Sequence, residues 1–152
     1  MINGKLITQR PDGTERTDYL FRVSLKALIY DQQGRILVVK EHGLNWGLPG
    51  GGMDFDETFE SALARELAEE VGYTGRFTFE TIGVADPIHV GGPNVWQVWI
   101  VFHVAPETFD FSVGVDAEAM KFIDPKGLEM FDDMQARYAV RYHQQYQARN
   151  TS

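Results

Sequence analysis

Glu66, Glu69 and Glu70 stand at i, i+3 and i+4 in the segment GLPGGGMDFDETFESALARELAEEVGY, Gly47–Tyr73. On a helix turning about 100° per residue, they fall within an arc of roughly 100°, on a face expected opposite the apolar stripe Leu63, Leu67 and Val71. Hard oxygen donors grouped in this way suit Mg²⁺ or Mn²⁺. A solvated acidic face is the plain alternative. Two costs weigh against it. From Glu41 to Gly75 there are eight acidic residues and one Lys or Arg, Arg65, so i,i+4 pairs of opposite sign are scarce. The acids also occupy the last two turns of the helix, where its dipole disfavours each anion by about 0.3–1 kcal/mol. A bound cation would offset both.

Five glycines between Gly43 and Gly52 precede the acids. The loop has neither a Gly-Lys-Ser/Thr sequence nor the G-x-G-x-x-G spacing of the dinucleotide fingerprint. Gly50, Gly51 and Gly52 do permit close backbone approach, which would let a carbonyl join a metal shell beside the helix. A purely structural loop is the other reading.

The surrounding pattern supplies elements to hold loop and helix. Polar, turn-rich residues run from Met1 to about Asp18, with Pro11-Asp12-Gly13 a turn between short strands. Val23–Tyr30 and Ile36–Lys40 are β-rich runs that predict a hairpin around Asp31-Gln32-Gln33-Gly34. Phe59, Leu63, Leu67 and Val71 recur every four residues and predict a helix from Thr58 to Val71, ended by Gly72. Arg76–Val84 and Val95–Val104 read as strands, the second apolar enough to be central, and Met120–Ile123 as another. Pro125 opens a final helix to about Gln147, with Leu128, Phe131, Met134, Tyr138 and Tyr142 as its core face. Strands flanking a helix, with a closing helix, predict an α/β or α+β domain with helices packed on a mixed sheet.

Gly51, five residues, Glu57, seven residues, then Arg65-Glu66-Leu67-Ala68-Glu69-Glu70-Val71-Gly72-Tyr73 resembles the box of the Nudix (MutT-like) hydrolases, G-x5-E-x7-R-E-U-x-E-E-x-G-U. Here U is a bulky apolar residue, and Tyr73 stands where the family usually has Ile, Leu or Val. The preceding Trp46-Gly47-Leu48-Pro49-Gly50 is similar to the family as well, so the likeness extends from Leu20 to the C-terminus. The resemblance implies an α/β/α sandwich with the box helix on one side of a mixed sheet and the C-terminal helix closing it. It implies hydrolysis of a phosphoanhydride in a nucleoside diphosphate linked to another group, with Mg²⁺ or Mn²⁺ as cofactor. The substrate stays open between nucleotide sugars or ADP-ribose-like molecules and nucleoside triphosphates.

Carried over residue by residue, the resemblance puts metal ligation on Glu66, Glu69, Glu70 and the Gly50 carbonyl. Arg65 pairs with neighbouring carboxylates, Glu57 among them, and Glu66 takes the proton from water. Asp116 and Glu118 are alternative bases from a later loop, or ordinary loop acids. Lys40 and Trp46 are candidates for substrate phosphate and base, with a surface lysine and a packing tryptophan as the alternatives. Asp86 and His89 belong to a Gly/Pro-rich loop, Asp86–Asn94, where the family often sets substrate choice. Homodimers are common in the family. A nucleotide-binding sensor module is the alternative function, although such domains tend to lose box carboxylates and this chain keeps them.

Composition narrows the classes further. The chain has 152 residues, 43% hydrophobic and 24% charged, and one domain over 1–152 is expected, with residues 1–20 a strand-and-turn extension. Fourteen Lys and Arg against 22 Asp and Glu give a net charge of −8, which opposes non-specific binding to nucleic acid. With no cysteine there are no disulfides, thiolate metal sites or cysteine nucleophiles. No apolar run approaches the roughly 20 residues of a membrane span, and MINGKLITQR has no secretory character. A cytoplasmic location and no membrane partner are expected.

Overall fold

The computed structural model describes residues 5–90 and 95–151. Gly91–Asn94 of the expected specificity loop lie outside the described residues. Strands β1 (Lys5–Gln9) and β2 (Glu15–Tyr19) form an antiparallel hairpin around Pro11-Asp12-Gly13 and, among the described residues, pair only with each other. Strands β3 (Phe21–Leu28), β4 (Ile36–Glu41) and β5 (Trp46–Gly47) come before helix α1 (Phe59–Val71). After it come β6 (Phe77–Val84), β7 (Ile88–Val90), β8 (Val95–Pro106), β9 (Ala117–Ile123), a short helix α2 (Pro125–Leu128) and α3 (Met134–Asn150).

The expected β3–β4 hairpin keeps its turn but not its ladder. Asp31 Oδ1 accepts from Gln33 N at 2.9 Å and Arg35 N at 2.8 Å, and Leu37 N still reaches Ile29 O at 3.0 Å. Beyond that the strands part into different sheets. β3 runs parallel to β8 in the order β3-β8-β6, whereas β4 lies between β5 and β9. The reason is competition for an edge, because the glycine loop occupies the free side of β3. Ala27 N donates to Pro49 O and Leu25 N to Gly51 O, both at 2.8 Å, and Met53 N donates to Val23 O at 2.9 Å. β8 is the central strand its apolar sequence predicts, with β3 on one edge and β6 and β7 along the other.

The strand period of two divides the core between two faces. On one, Leu25, Ala27, Leu37, Val39 and Phe102 pack with Leu63, Leu67 and Val71 of α1. On the other, Leu28, Ile36, Val38, Trp99 and Val101 pack with Ala136, Ala139 and Tyr142 of α3. The result is an α/β/α arrangement of mixed parallel and antiparallel strands. Among the described residues no helix is long and apolar enough to cross a membrane.

Three expectations about the helices are corrected. Glu66 and Glu70 are not opposite the apolar stripe but at its margin, 8% and 3% exposed. Seven residues fall only about 20° short of two turns, so Glu70 nearly eclipses Leu63. Phe59, counted in that stripe, remains 41% exposed and meets the core through the ring of Phe102. The final helix is broken after Leu128, because Asp133 caps a new start, accepting from Ala136 N at 2.9 Å. The break leaves Phe131 and Met134 exposed and turns Ala136, Ala139 and Tyr142 inward.

Candidate active site

Helix α1 is held at both ends. Its first turn has a capping box in which Thr58 Oγ1 accepts from Ser61 N and Ser61 Oγ accepts from Thr58 N. At the other end Gly72 adopts a left-handed conformation, and the loop between β8 and β9 donates to the last carbonyls. Ser112 N reaches Val71 O at 3.0 Å, and Gly114 N and Asp116 N reach Glu70 O and Glu69 O at 2.9 Å. These donors satisfy carbonyls that a helix end leaves unpaired, and they reduce the dipole's penalty on the acids there. A Cβ on Gly114 would lie 2.1 Å from Glu69 O, so the contact requires glycine.

Arg65 ties the acidic face to the loop. Its Nε and Nη2 donate to the two oxygens of Glu57 at 2.7 and 3.0 Å, and Nη2 also reaches Gly52 O at 3.0 Å. Nη1 donates to Glu66 Oε1 at 2.8 Å and Glu69 Oε2 at 3.2 Å. Hydrogen bonds from Arg65 and from Asp54 N hold the Glu57 carboxyl down to about 2. Burial acts the other way on the inner pair. It raises Glu66 despite Arg65, and it pushes Glu70 up to about 8, with Glu41 and Glu66 adding repulsion.

Gly50 is the hinge of the arrangement. Its φ of 129° and the 2.1 Å separation a Cβ would have from Leu25 O exclude other residues. Its N–H donates to Glu70 Oε2 at 2.8 Å, and its carbonyl accepts from Lys26 Nζ at 2.9 Å. Lys26 is 6% exposed, and its ammonium lies 5.2 Å from the centre of the Trp99 ring.

These groups open on one cleft of about 430 Å³. Among the described residues its lining carries five carboxylates, Glu41, Glu66, Glu69, Glu70 and Asp116, and one Lys or Arg, Lys26. Among the described residues no three carboxylate or imidazole groups converge on a single point. Glu66 and Glu69 each lend one oxygen to Arg65, and Glu70 lends one to Gly50. A hard divalent cation nonetheless fits the donor set. Every donor is oxygen, each glutamate keeps a second oxygen, and two of the three carboxylates are buried with too little positive charge nearby.

The other sequence candidates fall elsewhere. Asp116 lines the cleft, but Lys40, Trp46, Asp86, His89 and Glu118 do not. Lys40 Nζ pairs with Glu118 Oε2 at 3.2 Å, which draws the Glu118 carboxyl below its usual range. Trp46 packs into the α3-side core beneath Lys121, whose ammonium is 4.3 Å from the ring centre. Asp86 is exposed, and His89 lies against Trp96 at 5.3 Å. Sequence reasoning missed Lys26, Glu41, Gln97, Trp99 and Gln135 in the lining. Only Lys26 left a trace, as the single charge within Val23–Ile29.

A family model of the NUDIX domain matches residues 20–144. The chain belongs to the Nudix family. An RNA pyrophosphohydrolase of Caulobacter vibrioides is 30% identical over 114 residues, covering 62% of this chain and 64% of that protein. A MutT-like protein of Streptomyces ambofaciens is 28% identical over 131 residues, covering 80% of this chain and 75% of that one. The Nudix chain spans from 29% to 64% of the length of curated RNA pyrophosphohydrolases that it matches. In fold it is similar to the crystal structure of the MutT protein from Methanosarcina mazei Go1. The TM-score is 0.69 at 20% identity, over 87% of this chain and 96% of that one.

Proposed function

We propose that this Nudix chain is a Mg²⁺-dependent pyrophosphohydrolase, active also with Mn²⁺, that cleaves a phosphoanhydride in a nucleoside diphosphate linked to a further group. The carrying observation is the cleft, where among the described residues five carboxylates and the Gly50 peptide line a space with one lining cation, Lys26, and Arg65 pairs with Glu66 and Glu69 from beside it. A diphosphate entering that field needs a bridging cation. The RNA pyrophosphohydrolase and MutT-like relatives support this class of bond.

Glu66, Glu69, Glu70 and the Gly50 carbonyl would hold the ion, which supplies polarisation of the phosphoryl oxygens and a more acidic water. Arg65 orients Glu66 and Glu69 by anchoring them to Glu57 and Gly52. Glu66 accepts the proton of the attacking water, its basicity raised by burial. Asp116, on the cleft lining, is the second candidate base. Lys40, Trp46, Asp86, His89 and Glu118 lie beyond that lining, so any contact they make falls on the distal part of the substrate.

The test is hydrolysis of a nucleotide panel with Mg²⁺. It includes ADP-ribose, nucleotide sugars, normal and oxidised nucleoside triphosphates, dinucleoside polyphosphates and a 5′-triphosphorylated oligoribonucleotide. One substrate class is expected to release cleaved products, and Glu70→Gln to slow that turnover by about 10²-fold or more. Tight nucleotide binding without turnover would replace this reading with the sensor module.

A further inference from the structure

Lys26 is absent from the box and from the mechanism above, yet among the described residues it is the one Lys or Arg that lines the cleft. A lysine 6% exposed bears a large desolvation cost unless anions or dipoles surround it. Here its ammonium donates to Gly50 O at 2.9 Å and attracts both Glu66 and Glu70. The same peptide's N–H is bound by Glu70 at 2.8 Å. Lys26, Gly50 and Glu70 thus form a continuous cation–peptide–carboxylate chain.

Lys26 is not needed to shape the loop. On either side of Gly50, the carbonyls of Pro49 and Gly51 accept from Ala27 N and Leu25 N, both at 2.8 Å. Those bonds fix the loop against β3 whatever stands at position 26. The remaining role is electrostatic. We propose that Lys26 is a tethered counter-cation of this carboxylate site, satisfying the Gly50 carbonyl and part of the carboxylate charge and competing with a divalent ion for that oxygen. It is a positioning residue whose charge stabilises the unloaded protein at the expense of metal affinity. The proposal rests on Gly50, Glu66 and Glu70 being metal ligands, as proposed above.

The test uses the full chain, stripped of metal, with Mn²⁺ binding followed by electron paramagnetic resonance and melting followed with and without Mg²⁺. Lys26→Met keeps the length of the side chain and removes the charge, and Lys26→Gln keeps a hydrogen-bond donor. Both are expected to melt lower than wild type without metal and to bind Mn²⁺ on the order of tenfold more tightly, from the loss of like-charge repulsion. The rise in Tm on adding Mg²⁺ is then larger in the variants than in wild type. Equal losses of Tm with and without metal, at unchanged Mn²⁺ affinity, would reduce Lys26 to a packing residue while the metal site stood. Weaker Mn²⁺ binding in both variants would overturn the competition and make Lys26 part of the site's scaffold. Absence of Mn²⁺ binding in wild type as well would overturn the metal-site reading and this proposal together. If Lys26→Met fails to fold without metal, Lys26→Gln carries the comparison.

Discussion

Among the described residues Arg65 makes five hydrogen bonds, and two of them go to Glu57. Because the Glu57 carboxyl sits at about 2 in the folded chain against 4.5 when unperturbed, the pair's contribution is full above pH 4.5. It is lost as the pH falls from there through about 2. Thermal melts of Glu57→Gln against wild type check this. The variant is expected to be less stable above pH 4.5, and the two curves to converge at the acid end. Glu70→Gln behaves differently from what an exposed acid would do. The side chain is 3% exposed and bonded to Gly50 N, and the amide oxygen of glutamine preserves both its shape and that acceptor. The folded chain is therefore expected to survive with Tm within a few degrees, while turnover is lost. The spacing of Glu66, Glu69 and Glu70 was legible because helical geometry fixes which residues share a face. Lys26 was not, because its partner Gly50 is 24 positions away and meets it only once β3 pairs with the loop.

Helix α1 owes its stability at its C-terminal end to a distant segment. Its start, its stop at Gly72 and most of its buried stripe were readable from capping residues and period. Its carbonyl partners in the Ser112–Asp116 loop were not, since no local signal links two segments about 45 residues apart. Gly114→Ala tests that contact. The new methyl would collide with Glu69 O, and the expected cost is roughly 1–3 kcal/mol, at about 2–4 °C of Tm per kcal/mol. Val115→Ser is the control, because Val115 is 83% exposed, and it is expected to melt like wild type. The parting of β3 from β4 was likewise hidden. A tight turn between two apolar runs reads as a hairpin, and only the glycine loop's claim on the edge of β3 decides otherwise.

At the scale of the molecule, two cores lie on opposite faces of the strands, and the β1–β2 hairpin stands outside both. Leu6, Ile7 and Tyr19 are 44%, 64% and 61% exposed, and the hairpin makes no ladder with the rest of the described residues. Deleting residues 1–19 is therefore expected to leave Tm within a few degrees of the full chain. A collapse of Tm would show that the hairpin supports the fold through contacts other than strand pairing. The architecture was legible as a class, because alternating strands and amphipathic helices admit few layered solutions. The strand order was not, because it depends on pairings between distant segments. The parallel ladder of β3 with β8 joins Phe21 to Trp96 and Leu28 to His103. During synthesis, at about 5–20 residues per second, β3, the glycine loop and the entire box helix are translated before β8. For several seconds the nascent chain carries its acidic residues without the strand that completes their platform. A truncation after Tyr73 and before β8 therefore yields a chain with an intact box motif and no assembled cleft.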